Sequence, residues 1–128
     1  MTITQNDART AYRGGAVGTA TPAQLLVMLF ERLALDAERG LRALQKGDNA
    51  ETHSQLVHAQ AIVTELQSTL QVEGMPAGRE LMALYGYLQR RMIQANVSHD
   101  VRAGREVVQL TRHLRDTWKR AAELAARQ

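Results

Sequence analysis

Cysteine is absent from the 128 residues, which removes disulfides, thiolate metal sites and thiol nucleophiles together and suits a reducing compartment. Long apolar runs are missing too. The longest, Leu25 to Phe30, falls far short of the roughly 20 residues that span a bilayer. Met1 to Ala20 is polar and has no apolar stretch of the signal-peptide kind, so a cytoplasmic protein without direct membrane insertion is expected. No segment alternates in the β-branched manner of a strand, and no internal repeat or low-complexity tract is present. The length suits one domain, able to bury about two-thirds of the surface of its unfolded chain without covalent staples.

Charge of one sign is also scarce. The net charge is +3, and residues 100–128 hold seven basic and four acidic side chains while the remainder balances nine against nine. The basic excess therefore belongs to the last segment, where Trp118 is the only aromatic residue and four acids are interspersed. Stacking platforms, glycine clamps and recognition motifs do not accompany it, so it reads as a solvated helix face with no nucleic-acid partner.

Catalytic constellations are equally lacking. None of His53, His58, His99 and His113 pairs with another at the i,i+4 spacing of a helical metal site. Ser98-His99-Asp100 has the letters of a hydrolase triad, but three adjacent turn residues point apart and suit helix capping instead. There is no Glu-x-x-His motif, and Gly14-Gly15 and Gly18 have no preceding strand to make them a phosphate loop. No catalytic residue, metal site or cofactor is expected, and hence no enzyme.

What is present is helical pattern. Residues 1–20 form an arm, flexible or loosely docked, with Ile3, Tyr12 and Val17 as isolated anchors. Thr21-Pro22-Ala23-Gln24 is a capping box with proline at the first helical position, and Gly47 is a C-cap. A first helix is expected over about 21–45. Asp48 caps a second, about 49–71, with Leu56, Ala59, Val63, Leu66 and Leu70 as its seam. Gly74, Pro76 and Gly78 break the chain before a third, about 78–95, and Asp100 opens a fourth, about 100–126. Pairs at i,i+4 are expected for Arg32/Asp36, Glu38/Arg42, Arg112/Asp116, Asp116/Arg120 and Glu123/Arg127. Short links favour antiparallel neighbours, so residues 21–128 should form an all-α, up-down-up-down four-helix bundle.

One stretch breaks the amphipathic rule. Leu25-Leu26-Val27-Met28-Leu29-Phe30 is apolar around the whole helix circumference, whereas a helix buried on one side should be polar on the other. Two compatible accounts follow: the helix is central or covered by the arm, or its outer face floors a groove for a partner. Tyr85 and Tyr87, two residues apart, point to different faces, so one belongs to a surface. Tyrosine and methionine suit adaptable contact surfaces, which makes Leu25, Met28, Leu29, Phe30, Met82, Tyr85 and Tyr87 candidate partner contacts, together with Tyr12 of the arm.

The ordered set of segments resembles the FliS family of bacterial flagellar export chaperones. The matching pieces are Tyr12, Thr19-Ala20-Thr21-Pro22 with Gln24 to Phe30, Ala59 to Leu70, Leu84-Tyr85-Gly86-Tyr87-Leu88-Gln89-Arg90-Arg91, Gln94-Ala95-Asn96, Asp100, and Leu114-Arg115-Asp116-Thr117-Trp118. Phe30 stands where the family commonly has tyrosine, and the loop from Val72 to Gly78 lacks an acidic, asparagine-rich character. The resemblance implies a four-helix bundle that clasps the C-terminal, helix-forming segment of flagellin in the cytosol, prevents premature polymerisation and escorts it to the export apparatus. The empty protein is expected to be a monomer or weak homodimer. Two uses of the arm stay open, shielding of the empty client groove with Tyr12 as the main anchor, or simple extension of the bundle. The competing reading is a helical adaptor that uses its basic last helix on acidic partners or nucleic acid.

Overall fold

The computed structural model describes residues 20–127; Tyr12 and all of the expected arm except Ala20 lie outside the described residues. Four helices follow one another, α1 (Pro22–Lys46), α2 (Asn49–Thr69), α3 (Gly78–Val97) and α4 (Val101–Ala126). Their starts and stops have local causes. Gln24 N–H donates to Thr21 Oγ1 at 3.1 Å while Thr21 N–H donates to Gln24 Oε1 at 2.8 Å, a completed capping box that satisfies two otherwise orphan donors. Gly47 closes α1 at φ 74°, a conformation glycine adopts without steric cost. Asp48 and Asp100 then accept from Glu51 N–H and Ala103 N–H, each at 3.1 Å.

Two boundaries differ from the sequence-based reading. Leu70 is extended, at φ −75° and ψ 122°, so α2 stops short of Gln71, and α3 runs on past Ala95 to Val97. The link 70–77 ends on Ala77, which takes the left-handed region at φ 63° and supplies no side-chain cap to α3.

The links of residues 47–48, 70–77 and 98–100 reverse the chain each time, and cross-helix contacts give the register. Asp36 of α1 meets His58 of α2, Gln60 of α2 meets Gln89 of α3, Arg91 of α3 meets Glu106 of α4, and Phe30 of α1 meets Trp118 of α4. The fold is an antiparallel, up-down-up-down four-helix bundle, all-α throughout the described residues. Packing is most extensive between α1 and its neighbours α2 and α4, because α1 carries small residues at Ala34, Ala37, Gly40 and Ala43, all buried. At Gly40 an added Cβ would lie 2.8 Å from Leu56 Cδ2, so glycine here permits close approach of α2. Phe30, Leu33, Leu56, Val63, Leu88, Met92 and Val107 fill the centre.

Ion pairing departs from expectation because helices meet. Arg32 pairs with Asp36 at 3.0 Å as expected, but Glu38 takes Arg112 at 2.8 Å and Arg115 at 4.0 Å across the α1–α4 groove rather than Arg42, and Asp116 takes Arg115 at 2.9 Å. Asp36 is also fully buried, where the carboxylate is held by Arg32 and His58. A buried carboxylate is tolerated only with such partners.

Candidate functional site

The start of α1, the end of α2, the 70–77 link, the start of α3 and the end of α4 share one end of the bundle, and there the helices leave an open hollow of about 330 Å³. Its walls are Leu26, Leu66, Leu70, Leu81, Tyr85 and Trp118, and Thr69, Gln71, Glu73, Gly74 and Met75 make up the rest. The hollow exists because the helices lose their mutual cover at this end. Leu66 is still buried, while Leu26, Leu70, Leu81 and Trp118 are only partly buried and pack against the core from its edge.

The apolar hexapeptide lies at this end. Phe30 is 0% exposed and stacks on Trp118, with ring centroids 5.7 Å apart and planes inclined by 8°. Leu25, Leu26, Val27, Met28 and Leu29 are each half-buried. The bundle therefore hides one of the six and leaves partial access to the other five. The apolar circumference read from the sequence is thus partly, not wholly, covered in the bundle.

The candidate contact residues separate into three groups. Tyr85 lines the hollow, 2% exposed. Leu25, Met28, Leu29 and Met82 are half-buried and outside the hollow's lining. Phe30 is sealed in the core, a correction to its place among surface contacts: as the largest side chain of the hexapeptide it occupies the central position against Trp118. Tyr87 is 37% exposed, and its hydroxyl donates to Glu106.

The charges around the two tyrosines follow their surroundings. Burial pushes the Tyr85 phenol up to about 12, so it is a neutral O–H at any physiological pH. Tyr87 is also raised, first by its hydrogen bond to the Glu106 carboxylate, and that same bond, with Arg91 beside it, holds Glu106 below the usual carboxylate range. Arg90 lies over the Tyr87 ring, 6.0 Å from its centroid.

Sequence reading placed Leu66 and Leu70 on the seam of the second helix but did not see that they open, together with Leu81 and Trp118, at one end. The signal was available in part. Leu70 and Leu81 flank the break marked by Gly74, Pro76 and Gly78, and seam residues next to a break lose neighbours on one side. On α4, Arg112 and Arg115 are engaged by Glu38 and Asp116, so the basic bias there is partly compensated within the bundle. Among the described residues no cluster of three His, Asp or Glu is placed to hold a metal ion. Nor is any helix of them long and apolar enough to cross a membrane.

Residues 4–125 match the family described as flagellar protein FliS. The chain is 32% identical over 114 residues to a flagellar secretion chaperone FliS of Bacillus subtilis, covering 89% of this chain and 85% of the relative. It is 34% identical over 106 residues to the Escherichia coli flagellar secretion chaperone FliS, covering 81% and 78%, and 33% identical over 113 residues to that of Salmonella typhimurium, covering 87% and 84%.

Proposed function

The chain belongs to the FliS family, and from that premise we propose that it is a cytosolic flagellar secretion chaperone that binds the C-terminal, helix-forming segment of flagellin. Binding hides the segment from premature polymerisation and carries it to the export apparatus. The observation that carries the reading is the apolar end of the bundle, where Leu26, Leu70, Leu81 and Trp118 stand half-covered around an open hollow.

A client end that is disordered when free must be recognised by apolar anchors at helical spacing, and ordering it costs several kcal/mol. A long apolar contact offsets that cost. The half-buried residues Leu25, Met28, Leu29 and Met82 extend the contact beyond the hollow in this reading, and Tyr85 belongs to the hollow itself. No nucleotide cycle enters; release follows from competition or from the export machinery. No catalytic residue is assigned.

The test is co-expression with the flagellin of the same organism. A one-to-one complex that survives size exclusion and disappears when the flagellin C-terminus is removed is the expected result. A complex indifferent to that truncation, or one that dissolves steeply with added salt, would overturn the reading, the second outcome pointing to a charge-driven partner.

A further inference from the structure

Tyr85 is almost wholly buried, yet its hydroxyl has no hydrogen-bond partner among the described residues. Buried phenols are normally bonded. No side-chain polar atom sealed from solvent is left unpaired among the described residues, so the hydroxyl must be the part of Tyr85 that still meets solvent, and the opening that Tyr85 lines is the hollow. The Tyr85 hydroxyl is thus an unused hydrogen-bonding group on a buried residue of the wall, beside the exposed side chains of Gln71 and Glu73. Glu73 is the sole carboxylate of the lining and has no ion-pair partner among the described residues, so the rim is negative.

Size completes the description. An apolar cavity of about 150 Å³ accommodates one benzene-sized group, and this hollow is about twice that, at about 330 Å³. Two bulky side chains that project together onto one helix face sit three or four residues apart. We propose that the hollow is the receptor for a single turn of a client helix, bearing two bulky apolar side chains three or four residues apart, a hydrogen-bond acceptor for the Tyr85 hydroxyl, and a lysine or arginine that meets Glu73. The proposal rests on the chaperone reading and narrows it, because it says which kind of turn the chain selects.

Leucine-rich apolar walls alone would accept any greasy helix. Tyr85 adds selection: a client that brings no acceptor leaves the hydroxyl dehydrated and unpaired, which is disfavoured. Glu73 adds a second: an acidic residue on the same turn would face a like charge, and such repulsion rejects wrong partners more effectively than attraction recruits the right one.

Trp118 is the only tryptophan in the chain and lines the hollow, so its emission responds to occupancy of the hollow without interference from another indole. The experiment titrates the full chain with a tryptophan-free peptide from the flagellin C-terminus, following heat and Trp118 emission together. Wild type should bind with a blue shift of Trp118. Tyr85→Phe, which removes only the hydroxyl, should weaken binding about threefold to tenfold, and Glu73→Lys should weaken it further, with affinity restored by a peptide whose matching lysine or arginine is changed to glutamate. Far-UV circular dichroism and urea midpoints establish that each variant is folded.

Binding with unchanged emission, and with affinity indifferent to both substitutions, would overturn the receptor while leaving the chaperone reading intact. Absence of binding to the wild type would overturn both. If removal of residues 1–19 shifts Trp118 by itself and peptide then adds nothing, the hollow belongs to the chain's own leading segment and the proposal falls.

Discussion

Phe30 and Trp118 lie face to face across the α1–α4 interface, ring planes 8° apart, one sealed in the core and the other forming a wall of the hollow. The pair couples the centre of the bundle to its open end. A change at Trp118 is therefore felt both as lost stability and as altered client access.

Trp118→Ala removes the stacking partner and enlarges the hollow. Aromatic pairs contribute about 0.5–1.5 kcal/mol beyond area burial, and truncation of a fully buried aromatic costs about 3–5 kcal/mol. Trp118 is only partly buried, so a loss of about 2 kcal/mol is expected in urea unfolding. Trp118→Phe should recover more than half of it. A variant as stable as wild type would show that the stacked pair contributes nothing.

Tyr85 makes stability depend on alkaline pH. Its phenol is raised by burial to about 12 in the fold, against about 10 in the unfolded chain, so above about pH 10 the unfolded state loses its proton first. Stability is fully present below that point and falls as pH rises toward 12, by up to about 1.4 kcal/mol per pH unit. Urea unfolding between pH 9 and pH 11 measures this, and Tyr85→Phe should lack the corresponding part of the fall.

Two glycines within helices should respond oppositely to alanine. At Gly40 the added Cβ would meet Leu56 Cδ2 at 2.8 Å and Cγ at 3.1 Å; overpacking outweighs the better helix propensity, and Gly40→Ala should cost about 1 kcal/mol. At Gly86 the nearest atom is the flexible Arg90 Nη1 at 3.5 Å, so Gly86→Ala should stabilise by about 0.5–1 kcal/mol. Thermal midpoints moving in the same direction would refute the packing argument.

The buried Asp36 carboxylate and the exposed His58 ring form a polar tie between α1 and α2. His58→Ala leaves the carboxylate with Arg32 alone and should cost about 1–3 kcal/mol. Asp36→Ala and the double variant complete a cycle in urea, and a coupling energy of at least about 1 kcal/mol is expected for two groups in direct contact. Strict additivity would mean that the tie contributes nothing to the bundle.

The local signals were strong enough to be read from the chain directly. Thr21 with Gln24, Asp48 and Asp100 each form the cap their side-chain chemistry suggests, because capping depends on atoms three residues apart and needs no tertiary partner. The four helices, their antiparallel order and the excess apolar surface of the Leu25–Phe30 stretch follow from periodicity and link length. Interhelical geometry was not legible. Which acid Arg112 would choose, that Asp36 would be buried beneath an exposed His58, that Phe30 would turn inward onto Trp118, and that Leu26, Leu70, Leu81 and Tyr85 would border a common hollow all depend on the rotation and offset of helices far apart in sequence. Periodicity names the face of a helix that is buried; it does not say how far along that face the neighbouring helices continue to cover it, and the open end of this bundle lies where that cover stops.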